Sequence, residues 1–119
     1  MEEKMTENEF VRTRALLGDE GFNRVAGACV AVFGVGGVGS FVAEALVRSG
    51  VGHIHIVDND RVVLSNINRQ ILALHSTLGR PKVQVMKERM LDINPNVRVT
   101  AWETFVDKDS MEQFPFEDF

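Results

Sequence analysis

Apolar positions change their period several times along the chain, and each change marks a different element. Residues 29–33 are a continuous apolar run, Cys29 to Phe33, stopped by Gly34, which is the pattern of a central parallel strand buried on both faces. Over 37–49, Val38, Phe41, Val42, Ala45, Leu46 and Val47 form a broad apolar face at helical spacing, closed by Gly50. A second short strand is predicted over 53–57, ending at Asp58. From 81 to 93, Val83, Met86, Met90 and Ile93 recur at steps of three and four. Pro81 suits the first turn of that helix and Asn94-Pro95 ends it. Residues 97–105 read as a third strand, and 107–114 as a short helix with an acidic start. Ahead of these, 8–28 is weakly helical and uneven around Gly18 and Gly21, so two short helices are expected. The stretch 59–76 is too polar for one long element, although 66–73 has room for two helical turns.

The order strand, helix, strand, helix, strand implies a Rossmann-like doubly wound parallel sheet with flanking helices and right-handed crossovers. Three strands are few for a covered parallel sheet, so the chain is expected to be the N-terminal part of a larger domain. Residues 1–28 would be an N-terminal helical segment and 29–119 the nucleotide-binding unit. The uncharged stretch 25–43 has the length of a membrane span, but five glycines fall inside it and Glu44 and Arg48 follow at once. A strand, a tight turn and a helix explain it better.

Composition narrows the picture only a little. A net charge of −4 and a pI near 5.3 argue against holding nucleic acid by bulk electrostatics. Cys29, the one cysteine, makes no internal disulfide and no zinc site built on several cysteines, so a reducing cytoplasm is expected. The opening ten residues are acidic and polar where an export signal is basic and then apolar.

The chemistry concentrates at Gly34-Val35-Gly36-Gly37-Val38-Gly39, between a predicted strand and a predicted helix. Gly34 allows the tight turn, Gly36 lets phosphates approach the backbone, and Gly39 packs helix on strand. Asp58 lies about 20 residues beyond, at the end of the second strand, where a carboxylate accepts ribose hydroxyls. The turn alone does not separate NAD from ATP. The run Asp60 to Gln70 does more: Asn66, Arg69 and Gln70 stand at i, i+3 and i+4, so one helical turn aims two amides and a guanidinium the same way. Lys82 opens the helix after Gly79-Arg80-Pro81, where a cation opposes the helix dipole and points to an anionic ligand. A dinucleotide's pyrophosphate is already served by the turn, whereas a triphosphate leaves charge for Arg69 and Lys82.

The run VAVFGVGGVGSFVAEALVRSGVGHIHIVDNDRVVLSNINRQ, with its G-x-G-G-x-G, D-x-D and S-N-x-x-R-Q, resembles the ThiF/MoeB/HesA family, relatives of the ubiquitin-activating enzymes. GRPKVQVMKERMLDINPNVRV is similar to the family's lysine-bearing helix, so the resemblance spans about residues 12–106. Phe10-Val11-Arg12-Thr13, Leu16-Leu17-Gly18 and Gly39-Ser40-Phe41 look most like the tRNA threonylcarbamoyladenosine dehydratase branch. The resemblance implies ATP with magnesium as the nucleotide. Gly34, Gly36, Gly37, Gly39, Asp58, Asp60, Ser65, Asn66, Arg69, Gln70 and Lys82 would line its site. Arg12, Arg69 and Lys82 would be the catalytic cations, Arg12 reaching across from the partner in a homodimer and Arg14 its alternative. A carboxylate would attack the α-phosphate to give an acyl-adenylate. Its source would be threonylcarbamoyladenosine in tRNA or, in the sulfur-carrier branch, the C-terminal glycine of a ubiquitin-like protein. The family's magnesium-holding acid and its cysteine, where present, lie beyond residue 119, and Cys29 does not replace them.

Two other readings stand beside this one: an NAD-dependent oxidoreductase domain, on the turn and Asp58 alone, and a non-catalytic binding relic. His53 and His55 alternate onto one strand face and read as partly exposed residues rather than a metal pair. Trp102 reads as a strand residue without an aromatic cluster. Arg61, Arg69, Arg80, Lys82, Lys87 and Arg89 form at most a diluted path for tRNA phosphates.

Overall fold

The computed structural model describes residues 7–119, so most of the acidic opening stretch lies outside the described residues. Three parallel strands, β1 (Cys29–Phe33), β2 (His53–Val57) and β3 (Arg98–Trp102), form one sheet in the order β1-β2-β3, with Cys29 opposite His53 and His53 opposite Arg98. Helices α2 (Gly39–Arg48) and α3 (Lys82–Ile93) cross between successive strands on one face. That face buries Val32, Ile54, Ile56 and Val99 against Ala43, Val47, Val83, Met86 and Met90. Alternation along each strand sets this: residues two apart share a face, and the even-numbered positions of β1 and β2 are Val30, Val32, Ile54 and Ile56.

Helix α1 (Val11–Ala26) is two helical pieces joined at Gly18, whose φ of 75° and ψ of 166° interrupt the helix, as the uneven apolar spacing predicts. No helix among the described residues is long and apolar enough to cross a membrane. Several expectations need correction. Among the described residues β1 lies at the edge of the sheet, half-buried with Phe33 exposed, short of the burial on both faces that its apolar run predicts. Residues 66–73 do not make two helical turns; a 3-10 turn at Leu64–Asn66 runs into one further turn. The helix expected over 107–114 is only a 3-10 turn at Met111–Gln113.

The second face of the sheet differs from the reading of its residues. Trp102 does sit in an aromatic cluster: its ring centroid is 5.1 Å from that of Phe114, which is 5.3 Å from Phe33. Residues from 114 onward, distant in sequence, supply the partners, so strand periodicity had no access to them. His55 is buried rather than partly exposed. Burial, and then the charge of Arg98, hold the His53 imidazole below its ordinary pKa. His55 is lowered by burial, then by its neighbour His53 and by Arg98.

Glu44 of α2 joins α2 to α3. Its carboxylate accepts from Arg89 Nε and lies 3.5 Å from Arg48 Nε. Burial raises its pKa, but the Arg89 hydrogen bond and the charges of Arg89 and Arg48 outweigh this and hold it below the ordinary range. A depressed folded pKa contributes stability above the unfolded value, and that contribution is lost as pH falls through the folded value. Glu44→Gln is therefore expected to cost about 1 kcal/mol at pH 7 and progressively less below pH 4.5. Urea melts of both proteins across that range would check it; a pH-independent difference would assign the loss to packing.

Candidate functional site

The glycine turn is built by steric necessity at two positions. Gly34 has a φ of 92°, left-handed, and its N–H donates to Val57 O at 2.7 Å. At Gly39 a Cβ would stand 1.7 Å from Gly34 O, so the turn closes only over a hydrogen. Gly36 and Gly37 are different. A Cβ on Gly36 would lie 3.6 Å from Gln70 Nε2, and one on Gly37 would lie 3.6 Å from Arg69 Cγ, both ordinary contacts. The fold alone tolerates a methyl at either position; what that methyl would occupy is the slot between the turn and the Arg69-Gln70 segment. Among the described residues, the N–H groups of Gly36, Gly37 and Val38 donate to no protein group, and α2 has no side-chain cap. Three free donors at the positive end of a helix dipole make an anion site.

Ser40 and Asn66 hold the second wall in place. The buried Ser40 hydroxyl donates to Gly36 O and accepts from Ile71 N at 3.4 Å, clamping the turn to the segment that faces it. Asn66 is buried; its Oδ1 accepts from Val63 N at 3.0 Å, and its carbonyl accepts from Arg69 N and Gln70 N. The i, i+3, i+4 spacing does form a helical turn, but its side chains do not act alike. Asn66 is engaged by its own loop. Arg69 is exposed beside Gly37, its Nη1 donating to Ser65 O and Asn68 Oδ1, both at 2.9 Å, so Ser65 contributes a carbonyl that orients the guanidinium. Gln70 is buried with its Oε1 unpartnered, so an amide with unused hydrogen-bonding capacity stands beside Gly36. Leaving such an atom unpaired costs about 1–3 kcal/mol, which a ligand or water relieves.

Asp58 connects this cradle to the end of β2. Its Oδ2 accepts from Val35 N at 2.9 Å and its Oδ1 from Asp60 N at 2.8 Å. The carboxylate is thus first a fastener of the turn; each oxygen keeps a second lone pair for a hydroxyl. A cleft of about 260 Å³ opens here, lined by Gly34, Asp58, Asn59, Thr104 and Phe105 among others. Lys82 is buried at the start of α3: its side chain is only 6% exposed, with Nζ 3.8 Å from Oδ2 of the 65%-exposed Asp60. The ammonium at the end of that buried stem has an ion pair but no hydrogen bond among the described residues, so it has donors left for an anion.

Arg12 lies elsewhere. It is exposed on α1, beside a cleft of about 440 Å³ shared with Leu16, Leu17, Val25 and Ser49. Ser49 caps the C-terminal end of α2, about 15 Å along that helix from the glycine turn. Arg14 is engaged by Asp19 at 3.0 Å and by the Phe22 ring. Of the cations considered for a tRNA path, Arg61 donates to Gly79 O, Arg80 pairs with Glu88 and Arg89 with Glu44. Sequence reasoning gave Ser40 no role, although a hydroxyl directly after the last glycine of the turn is its signal.

Fold and site together define a Rossmann-like α/β domain with an anion-binding cradle at its first strand–helix turn. The chain belongs to the ThiF family, whose profile matches residues 10–117. It is 51% identical over 107 residues to a tRNA threonylcarbamoyladenosine dehydratase of Bacillus subtilis, covering 90% of this chain and 42% of that protein. It is 43% identical over 86 residues to a sulfur carrier protein adenylyltransferase of Thermus thermophilus, covering 72% of this chain and 32% of that one. The crystal structure of the Escherichia coli tRNA N6-threonylcarbamoyladenosine dehydratase in complex with ATP superposes with a TM-score of 0.86 at 45% identity, covering 88% of this chain and 43% of that one. The chain thus spans about two fifths of the length of the first of these relatives.

Proposed function

We propose that the protein containing this chain adenylates a carboxylate with ATP, and that the carboxylate is the threonyl group of threonylcarbamoyladenosine in tRNA. The observation that carries the reading is the slot between Gly36-Gly37 and Arg69-Gln70, edged by free backbone donors and left open by two glycines that the fold does not require. Backbone N–H groups at Gly36, Gly37 and Val38 would hold phosphate oxygens, Arg69 and Lys82 would offset charge developing on the α-phosphate, and Asp58 would accept from the ribose. The substrate carboxylate attacks the α-phosphorus, the bond to the bridging oxygen breaks, and pyrophosphate leaves. Internal attack on the resulting acyl-adenylate then closes a ring and expels AMP, a net loss of water from the substrate. The likeness to the dehydratase of B. subtilis and the ATP-bound structure from E. coli support this choice. The T. thermophilus relative supports a second reading, with the C-terminal glycine of a sulfur-carrier protein as the acid.

Magnesium accompanies ATP in such chemistry, and at this cradle the nearby carboxylates are already engaged. Both Asp58 oxygens accept backbone N–H groups and Asp60 is paired with Lys82, so no step is assigned to the metal. A cytoplasmic location suits the tRNA substrate and the free thiol of Cys29.

Titration of the intact protein with ATP and NAD in parallel is expected to give binding of ATP and at least tenfold weaker binding of NAD. Pyrophosphate release should then depend on tRNA bearing threonylcarbamoyladenosine; release driven instead by a sulfur-carrier protein selects the second reading, and tighter NAD binding removes both. We further propose a twofold homodimer in which Arg12 completes the partner's site, since in its own chain Arg12 lies at the far end of α2 and makes no hydrogen bond or ion pair among the described residues. Mixed dimers with Arg12→Ala in one subunit and Lys82→Ala in the other are expected to regain about half the activity. Absence of recovery would place Arg12 outside the reaction.

A further inference from the structure

The parallel register that builds the sheet also assembles a group of side chains that the nucleotide site does not use. Cys29 is paired with His53, and residues 29, 53 and 55 point to the same face, away from α2 and α3. Cys29 Sγ is 3.5 Å from His53 Nδ1, and the two imidazole centroids are 4.4 Å apart. One donor atom from each of Cys29, His53 and His55 lies within 4.8 Å of the others. Counting cysteines excludes only a zinc site built on several of them; register sets two imidazoles beside Cys29. The cluster sits at the start of the strands, whereas the glycine turn follows their other ends, about 13 Å away along β1.

We propose that Cys29, His53 and His55 form a three-ligand site for a thiophilic divalent cation of the zinc class, with water in the fourth position. Around a tetrahedral zinc, with Zn–S near 2.3 Å and Zn–N near 2.0 Å, donor atoms are separated by roughly 3.3–3.6 Å. The Cys29–His53 pair already has that spacing, and His55, with a donor atom within 4.8 Å of both, would close the remaining gap on binding. His53 is oriented for ligation, because its Nε2 is 2.9 Å from Thr100 Oγ1 and an Nε2–H donating to that hydroxyl leaves Nδ1 as the lone-pair donor facing Cys29. Binding expels the thiol proton of Cys29 and involves no redox step.

Trp102 makes the site testable. Without metal, its Nε1–H donates to His55 Nδ1 at 3.0 Å, so the neutral ring carries its proton on Nε2. Ligation through Nδ1 displaces the indole directly. Ligation through Nε2 moves the proton to Nδ1, which then donates and no longer accepts. By either route, metal binding removes the acceptor of Trp102, the only tryptophan among residues 1–119.

The test is titration of the intact protein with cobalt(II), followed by displacement with zinc. A thiolate-to-cobalt charge-transfer band is expected to saturate as emission from Trp102 shifts in step, with any tryptophan beyond this chain replaced by phenylalanine. Cys29→Ser should abolish the band, and His55→Gln should weaken binding at least tenfold. Both variants are expected to keep the ATP affinity of the parent, which certifies their folding and separates this site from the nucleotide reading. A band that persists in Cys29→Ser, or cobalt binding that leaves Trp102 emission unmoved, overturns the proposal, as does failure of the parent protein to take up cobalt.

Discussion

Gly39→Ala is expected to abolish the folded domain, whereas Gly37→Ala is expected to leave the fold intact and weaken nucleotide binding. The two residues are two apart in one turn, and their surroundings separate them. A methyl on Gly39 meets Gly34 O at 1.7 Å, a clash with backbone that no side-chain rotation relieves. Opening the turn to avoid it would detach α2 from β1 and cost more than about 4 kcal/mol, a large part of what a small domain has. A methyl on Gly37 meets only the flexible stem of Arg69 at 3.6 Å, and Gly37 has no positive φ, so the stability change stays within about 1 kcal/mol. That methyl nevertheless fills the space through which a phosphate reaches the free N–H groups. Loss of at least a factor of 10 in ATP affinity, about 1.4 kcal/mol, is expected. Thermal melts and ATP titration of both variants decide it. Unchanged ATP affinity in a folded Gly37→Ala protein would mean that the slot is not where phosphate binds.

Arg69→Ala and Lys82→Ala are both expected to lower pyrophosphate release by about 10²–10³-fold, roughly 3–4 kcal/mol by analogy with the loss of one donor to a developing oxyanion. Their effects on stability should differ. Arg69 is exposed and its bonds go to its own turn, so Arg69→Ala changes stability by less than about 1 kcal/mol. Lys82 is buried, and truncation to alanine also removes packing at the start of α3. Lys82→Met keeps most of the stem, and the exposed Asp60 is solvated on losing its partner. The methionine variant is therefore expected to melt close to the parent and remain as inactive as the alanine variant. Equal losses of melting temperature and activity in Arg69→Ala and Lys82→Met would make both residues structural.

The elements whose signals are local were legible before any tertiary structure was known. The apolar run 29–33, the three-and-four spacing of Val83, Met86 and Met90, and the glycines around residue 36 each report a backbone state that neighbours in sequence impose. The likeness of 30–70 to the ThiF family was legible for the same reason: turn, carboxylate and S-N-x-x-R-Q form one nearly continuous stretch. Much of the site depended on longer-range contacts. Spacing placed Asn66, Arg69 and Gln70 on one turn, but burial decided that Asn66 braces its loop, Arg69 stays exposed and Gln70 keeps an unpaired oxygen. Position in a first helical turn marked Lys82 as misplaced; only the packing of α3 beside Asp60 determined that it is buried. Composition counted Cys29 as alone, yet strand register set it against His53, and the chain beyond residue 110 returned to put Phe114 on Trp102. Local periodicity determines whether a residue faces a core, because that follows from backbone geometry. Which distant residue meets it there is determined by strand order and register, and those depend on the burial of the whole sheet.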